Sequence, residues 1–276
     1  MYARPRTIEE ATRAMATEGA LAVSGGTDVY PAHVGKPLTR PLVDLSRVEG
    51  LRGITQMADS IRFGAATTWT DIISAALPAA FDGLKAAACE VGSIQIQNRG
   101  TIAGNLCNAS PAADGVPPLM SLDARVEIAS PAGLRVLPLD QFITGYRRTA
   151  LCPGEIVTAV IVPKPAAGAR SAFVKLGARR YLVISILMAA AVVEKDAQGR
   201  IARAAVAVGA ASPVARRLPE LEAELRGGAG KPSSLVAARH VAGLSPIDDV
   251  RATASYRLEA ALSAVGEALD KAAGVA

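Results

Sequence analysis

Two short segments of this 276-residue chain carry residue types suited to holding an anionic ligand. The first, "VSGGTDV" over residues 23–29, sets two adjacent glycines, Gly25 and Gly26, directly behind a β-like run. Glycine accepts a positive φ and lets a ligand approach the main chain closely, and successive amide N–H groups in such a turn form an anion nest. Thr27 adds a hydroxyl donor. The second, "TIAGN" over 101–105, opens the stretch "TIAGNLCNASPAADGVPPLM", which holds one carboxylate, Asp114, and no Lys, Arg or His. Gly104 again allows close approach, and the amide of Asn105 both donates and accepts. Read alone, each segment is better taken as an ordinary turn. Together, and without a lysine in either, they point to a diphosphate-containing ligand held mainly by backbone donors. The chain has no G-x-x-x-x-G-K-[ST] and no G-x-G-x-x-G, so neither a P-loop nor a Rossmann fingerprint accounts for such a ligand.

The elements that must position these segments are legible as alternating short strands and helices. "TIEEATRAMATEG" reads as a helix with Thr7 as N-cap, Glu10 completing a capping box and Gly19 as the stop. "ALAVSGG" and "PLVDLSRV" read as strands, "GITQM" and "SIRFGAATTW" as an antiparallel pair turned at Ala58 and Asp59. "TWTDIISAAL" is a capped helix, and the helix from Phe81 gives way near Gly92. "DARVEIASPAGLRVLPL" is a hairpin turned on "SPAG", followed by the strand "EIVTAVIVP". Pro163 and Pro165 punctuate a boundary near 163–170. Beyond it lie three β-like runs, "SAFVKLG", "ILMAAAVVEKD" and "IARAAVAVGAA", then the amphipathic helices "LPELEAELRG" and "VRATASYRLEAALSAVGEALDKA". The pattern is α+β: an N-terminal unit over 1–165, with lobes about 1–52 and 53–165, and a C-terminal unit over 166–276.

Composition narrows the function classes. Half the residues are hydrophobic but only 4% aromatic, so Ala, Val, Leu and Ile build the core, and the Ala-rich composition and high apolar fraction suit a subunit that buries area against partners. Net charge is +5, yet Arg and Lys are scattered singly or in pairs such as Arg147-Arg148 and Arg179-Arg180. No basic tract interleaves with aromatics, which argues against a nucleic-acid partner. Cys89, Cys107 and Cys152 show no C-x-x-C spacing and read as buried free thiols; with only His33 and His240 beside them, the chain lacks ligands for a metal or iron–sulfur site of its own. No apolar leader is visible, and the longest apolar run, "YLVISILMAAAVV", is too short to span a bilayer. A soluble, cytoplasmic protein is expected.

The ordered segments together resemble a known family. "SGGTDV", followed some seventy-odd positions later by "TIAGNLCNASPAADGVPPLMSLDA", is similar to the A-G-G-T-[DN]-L and T-I-G-G-N…A-[SD]-P-x-[AG]-D elements of the FAD-binding (medium) subunits of molybdenum hydroxylases, the xanthine dehydrogenase and carbon monoxide dehydrogenase type. "SAFVKLGARRYLVIS", "VAVGAASPVARR" and "ASYRLEAAL" resemble the family's C-terminal elements. Ser24 and Ala103 depart from it, each replacing one small residue by another. The resemblance implies an FAD-binding fold of the p-cresol methylhydroxylase/vanillyl-alcohol-oxidase type, covered by a smaller domain of three antiparallel strands and helices. It implies noncovalent FAD, with Ser24, Gly25, Gly26, Thr27, Asp28 and Val29 cradling the diphosphate and Thr101, Gly104 and Asn105 completing the cradle. Ser110 and Asp114 fall where the family contacts the ribityl or phosphate portion, Val157 where it touches the flavin edge, and Lys175 and Tyr181 near the isoalloxazine. The chain itself would supply no catalytic acid, base or nucleophile.

By the same resemblance, this is the FAD-carrying electron-transfer subunit of a heteromeric oxidoreductase. It would take electrons from the [2Fe-2S] clusters of a small subunit and pass them to an external acceptor, while a large molybdopterin subunit oxidises the substrate. The assembly would be a dimer of such heterotrimers. Two other readings stand beside it: a stand-alone flavin-dependent reductase on the same fold, of the UDP-sugar enolpyruvyl reductase kind, and a non-catalytic assembly subunit.

Overall fold

Local sequence chemistry sets the first elements in a computed structural model that describes residues 1–275. The Thr7 hydroxyl accepts from the Glu10 amide at 3.2 Å and opens the helix Ile8–Met15. The Glu10 carboxylate reaches one residue further back than a capping box requires, to the amide of Arg6 at 2.8 Å. Behind this helix lies a small parallel sheet with Leu42–Asp44 between Tyr2–Ala3 and Leu21–Val23. The run expected as one strand over 41–48 stops at Asp44. There the carboxylate accepts from the Ser46 amide and turns the chain into the 3-10 helix Leu45–Arg47.

The second lobe is a five-stranded antiparallel sheet in the order Ile54–Gln56, Ser60–Gly64, Ile156–Pro163, Arg125–Ser130, Gly133–Pro138. Its last strand in sequence sits in the middle, between the two expected hairpins, which explains the nearly unbroken apolar run of that segment. A bulge between Val157 and Ala159 is pinned by the Thr158 hydroxyl, which donates to the Glu127 carboxylate at 2.7 Å. Phe63, Trp69, Phe81, Leu119 and Phe142 fill the core of this unit.

From Arg170 a new antiparallel sheet begins: Arg170–Leu176, Leu187–Lys195, Ile201–Gly209, with the two-residue strand Arg216–Arg217 as a fourth edge beyond the three expected. The helix Ala254–Ala273 packs on it, and Ala189, Ala191, Ala261, Ala264 and Ala268 lie in the shared core. Small side chains there let the helix approach the sheet closely, so much of the alanine content is used inside the chain. Asp123, in the left-handed region at φ 53, ties the two units by pairing with Arg203 and with Arg217 at 2.7 Å.

Arg257 of the long helix, only 3% exposed, donates to the carbonyls of Ile186 (2.5 Å) and Ala210 (3.0 Å) and pairs with Asp249 at 2.7 Å. Burial raises the Asp249 carboxyl, but the amides of Arg251 and Ala252 and the Arg257 guanidinium reverse this and hold it at about 2. A depressed carboxylate contributes stability above its unfolded value and loses it as pH falls towards the folded value. Arg257→Met should therefore lower stability at neutral pH by about 3 kcal/mol, because two carbonyls lose a buried charged donor and the Asp249 carboxylate loses one of its two guanidinium partners. It should also flatten the acid-unfolding slope between about pH 4 and 2. Denaturant titrations across that range check both.

Candidate functional site

A cleft of about 490 Å³ opens where the first glycine segment, the helix Ile102–Asn108 and the loop running to Asp114 converge. Its wall includes Ser24, Gly25, Gly26, Thr27, Asp28, Val29, Thr101, Gly104, Asn105, Ser110 and Asp114, so eleven of the fourteen residues singled out by sequence are brought together. Val157 lies behind them, on an adjoining apolar cavity of about 260 Å³ that shares Ser24, Thr101, Gly104 and Cys107 with the cleft. Lys175 and Tyr181 do not line it.

The first glycine loop is pressed against the turn that precedes Thr101. A Cβ on Gly25 would stand 2.0 Å from the Arg99 carbonyl oxygen, so only glycine permits this main-chain contact. Gly26 has φ +73, and the Tyr30 ring occupies the space a side chain there would need. The amide N–H groups of Gly25, Gly26, Thr27 and Asp28 have no protein acceptor among the described residues. They are the free donors of the site.

The second segment differs from its reading as an equivalent loop. Thr101 is the N-cap of the helix Ile102–Asn108, and the first-turn amides are already satisfied. Ile102 donates to the Thr67 carbonyl (2.9 Å), Ala103 to that of Ala65 (3.3 Å), Gly104 to the Thr101 hydroxyl (3.1 Å) and Asn105 to the Thr101 carbonyl (3.0 Å). What this segment offers a ligand is the bare surface over Gly104 and the side chains of Asn105, Asn108 and Ser110. Ala103, in place of the family's glycine, is helical and buried, so it carries no strain. Asn105 Oδ1 is the one buried side-chain polar atom on the cleft wall without a partner among the described residues. Unpaired loop amides, a threonine hydroxyl, neutral side-chain amides and two close-approach glycines fit a diphosphate bound through its oxygens.

Beneath the cleft, Asp114 is held by two residues of the C-terminal unit. Lys175 Nζ donates to Oδ2 at 2.8 Å, and the Ser185 hydroxyl to Oδ1 at 2.6 Å. Lys175 also donates to the Glu90 carbonyl at 3.1 Å. Both members of the ion pair are nearly dry, with side chains 6% and 10% exposed. Burial pushes the Asp114 carboxyl up, and the Lys175 ammonium and the Ser185 hydroxyl pull against that shift. Lys175 thus meets the cleft through Asp114. Tyr181 is 61% exposed with the Arg180 guanidinium 5.2 Å from its ring centre, and Ile184 takes the place at the cleft wall.

The cysteines are not buried as the sequence reading had them. Cys89 falls on the outer face of its helix, Cys152 on a loop, and Cys107 faces the cleft. The Cys107 thiol is reachable from the cleft yet crowded on its other sides, and that desolvation pushes it up to about 12. Sequence reasoning also passed over Arg147, Trp69 and Ile184, all on the cleft wall. Arg147 was visible only as half of an arginine pair, and nothing local to it marks a cleft.

Comparison with known proteins places this geometry. Residues 1–165 match the family model of the FAD binding domain in molybdopterin dehydrogenase, and residues 172–272 the CO dehydrogenase flavoprotein C-terminal domain. The chain belongs to the FAD-binding medium subunits of the molybdenum hydroxylases. It is 34% identical, over 98% of its length and 93% of the relative's, to the 6-hydroxypseudooxynicotine dehydrogenase complex subunit alpha of Paenarthrobacter nicotinovorans. It is 35% identical to a putative xanthine dehydrogenase FAD-binding subunit of Escherichia coli, over 80% of its own length and 77% of that protein's. The structure superposes on the carbon monoxide dehydrogenase from Hydrogenophaga pseudoflava with a TM-score of 0.91 at 29% identity, covering 99% of this chain and 97% of that one. Quinoline 2-oxidoreductase from Pseudomonas putida 86 follows at 0.88 and 27%, with 99% and 97% covered. The medium subunit is accordingly part of an oxidoreductase and its cofactor is FAD, on the two-domain α+β fold the sequence implied.

Replacing Lys175 in this medium subunit by Met should leave the Asp114 carboxyl buried without its cation and raise it further. At neutral pH the cost is about 3–5 kcal/mol, the usual result of breaking one side of a buried pair. A carboxyl raised above its unfolded value binds protons more tightly in the folded state, so the variant should regain stability as pH falls from 8 to 5. Urea midpoints at the two pH values report it, and a midpoint deficit independent of pH would count against the assignment.

Proposed function

We propose that this medium subunit carries electrons between partner-held [2Fe-2S] clusters and an external acceptor by way of FAD seated noncovalently in the cleft. The observation that carries the reading is the loop 24–29: four unpaired amides backed by a glycine that lies directly on the neighbouring main chain. Bound there, FAD supplies a ring system that accepts and releases electrons singly or in pairs, so the protein need only bind, orient and shield it. Ser24, Gly25, Gly26, Thr27, Asp28 and Val29 hold the diphosphate, and Thr101, Gly104 and Asn105 form the opposing surface. Ser110 and Asp114 meet the ribityl or phosphate portion, and Val157 lies against the ring edge across the adjoining cavity. Lys175 acts on the flavin site through Asp114, and Tyr181 stands on the exposed loop beside it.

Relatives described as subunits of a dehydrogenase complex and as medium chains support a heteromeric assembly with a small [2Fe-2S] subunit and a large molybdopterin subunit. We place it in the cytoplasm as a dimer of heterotrimers. No helix among the described residues is long and apolar enough to cross a membrane. The division into an FAD-binding domain over 1–165 and a C-terminal domain over 166–276 is part of the same proposal.

The purified chain reconstituted with FAD should be yellow and should release its flavin on acid precipitation. Candidate aldehydes, purines or N-heterocycles should bleach the flavin band anaerobically only when the partner subunits are present. Turnover by the isolated chain, free of molybdenum and iron, would instead favour a self-sufficient flavin-dependent reductase, and a chain that never takes up flavin a purely structural subunit.

Gly104→Val gives a sharper probe than a change at Gly26, whose φ of +73 makes any substitution strain the backbone itself. Gly104 lies on the cleft wall within a helix, so the new side chain crowds the ligand surface and the Thr101 cap, 2.8 Å from where its Cβ would stand. Flavin stoichiometry should fall to near zero while a cooperative thermal transition persists.

A further inference from the structure

Among the residues that line the cleft, Arg147 contributes the only basic side chain. The other charged groups there are Asp28 and Asp114, and the second is already matched by Lys175. A diphosphate entering this space adds negative charge to a wall on which, among the described residues, Arg147 is the one cation without a carboxylate partner. We propose that the Arg147 guanidinium binds a phosphate of the cleft's ligand, a role that rests on the reading of this cleft as the FAD site.

The local structure holds this side chain in place. The helix Ile102–Asn108 ends at Ala109 in the left-handed region, φ 46, and Arg147 adopts the same region at φ 55 on a separate turn. The two turns are joined by the Arg147 amide, which donates to the Ala109 carbonyl at 3.0 Å. Arg147 Nη1 then donates to the Asn108 carbonyl at 3.1 Å and to Asn108 Oδ1. A cation is well placed at a helix C-terminus, where last-turn carbonyls lack intrahelical partners. Only Nη1 is hydrogen-bonded within the chain: Nε and Nη2 have no protein acceptor among the described residues, and the guanidinium carbon lies 6.0 Å from the Tyr146 ring centre. The guanidinium is therefore anchored at one nitrogen and keeps free donors in the fork geometry that suits phosphate oxygens.

Its position matches that use. Asn108 stands four residues beyond Gly104, about 6 Å along the helix axis, so the anchored guanidinium lies roughly one turn from the surface the ligand crosses most closely. The amides of Gly25, Gly26, Thr27 and Asp28 supply neutral donors, and Arg147 supplies the charge they lack.

The test compares wild type, Arg147→Gln and Arg147→Lys as flavin-free full-length chains. Fluorescence titrations give the affinities for FAD and for riboflavin, and displacement gives that for ADP, which carries the diphosphate without a flavin. Arg147→Gln should weaken FAD and ADP by about 10- to 100-fold, the loss expected for a charge-assisted hydrogen bond. Riboflavin affinity should stay within about twofold, the melting temperature should hold because the side chain is exposed, and Arg147→Lys should recover part of the loss. FAD affinity should also fall with salt more steeply for wild type than for Arg147→Gln. Equal FAD affinities for wild type and Arg147→Gln, or a riboflavin loss as large as the FAD loss, would overturn the proposal alone. A wild-type chain that binds no FAD would overturn the cleft reading and this proposal with it.

Discussion

The Asp114 carboxylate is the point at which the two halves of the chain meet beneath the cleft. Its own loop comes from the N-terminal unit, whereas the lysine and serine that hold its two oxygens come from the C-terminal one. Burial alone would drive this carboxyl neutral, and an isolated buried carboxylate is not tolerated. The pair persists because Lys175 and Ser185 arrive together, and they arrive because the sheet and the helix Ala254–Ala273 fix the strand Arg170–Leu176 and the residues around Ile186. Arg257 is part of the same constraint. Its guanidinium binds the carbonyl next in sequence to Ser185, so the far helix sets where the serine hydroxyl points.

The two glycine segments divide their work by a rule of hydrogen-bond accounting. A helix start is commonly taken as a source of free amides, but here each of the first four finds an acceptor within the protein, two of them from the strand end and turn at Ala65 and Thr67. Those bonds stitch the helix Ile102–Asn108 to the five-stranded sheet and make it a rigid wall. Donor capacity is left to the loop 24–29, which has no regular structure to satisfy it. Gly25 makes that division feasible. Its missing side chain lets the donor loop rest on the Arg99 carbonyl, so the loop is positioned by the turn that leads into the helix.

Much of this was readable in the sequence, for reasons that can be named. Hairpins with a short polar turn, such as that around Ala58 and Asp59, depend only on neighbours, and Met57 donates to the Ser60 carbonyl there as expected. Likewise the Thr7 cap is set by residues three positions apart. The cleft-lining glycines were legible only through the order and spacing of the two segments, since each alone fits an ordinary turn. Features that depend on distant chain escaped. The strand Arg216–Arg217 exists only through its pairing with Ala207 and Val208. The satisfaction of the Ile102 and Ala103 amides depends on residues about 35 positions earlier. The exposure of Cys107 and the approach of Arg147 to Asn108 depend on how the loop folds back over the helix end.

The loop over 177–186 shows how tight anchoring and exposure combine in one segment. At its base, the Ile186 amide donates to the Leu176 carbonyl at 2.8 Å, the Ile186 carbonyl accepts from Arg257, and Ser185 is locked to Asp114. At its tip, Tyr181 and Leu182 are exposed, and the Arg179 side chain donates to both of their carbonyls, holding the turn through main-chain bonds. Leu182 sits at φ 52, a conformation uncommon for residues other than glycine, and its carbonyl is held there by the Arg179 guanidinium. The tip can therefore change its side chains without disturbing Asp114, because no bond from the carboxylate passes through it. The floor of the cleft and the exposed tip beside it are thus held by separate sets of bonds, the first through Ser185 and Asp114, the second through Arg179 and the main chain.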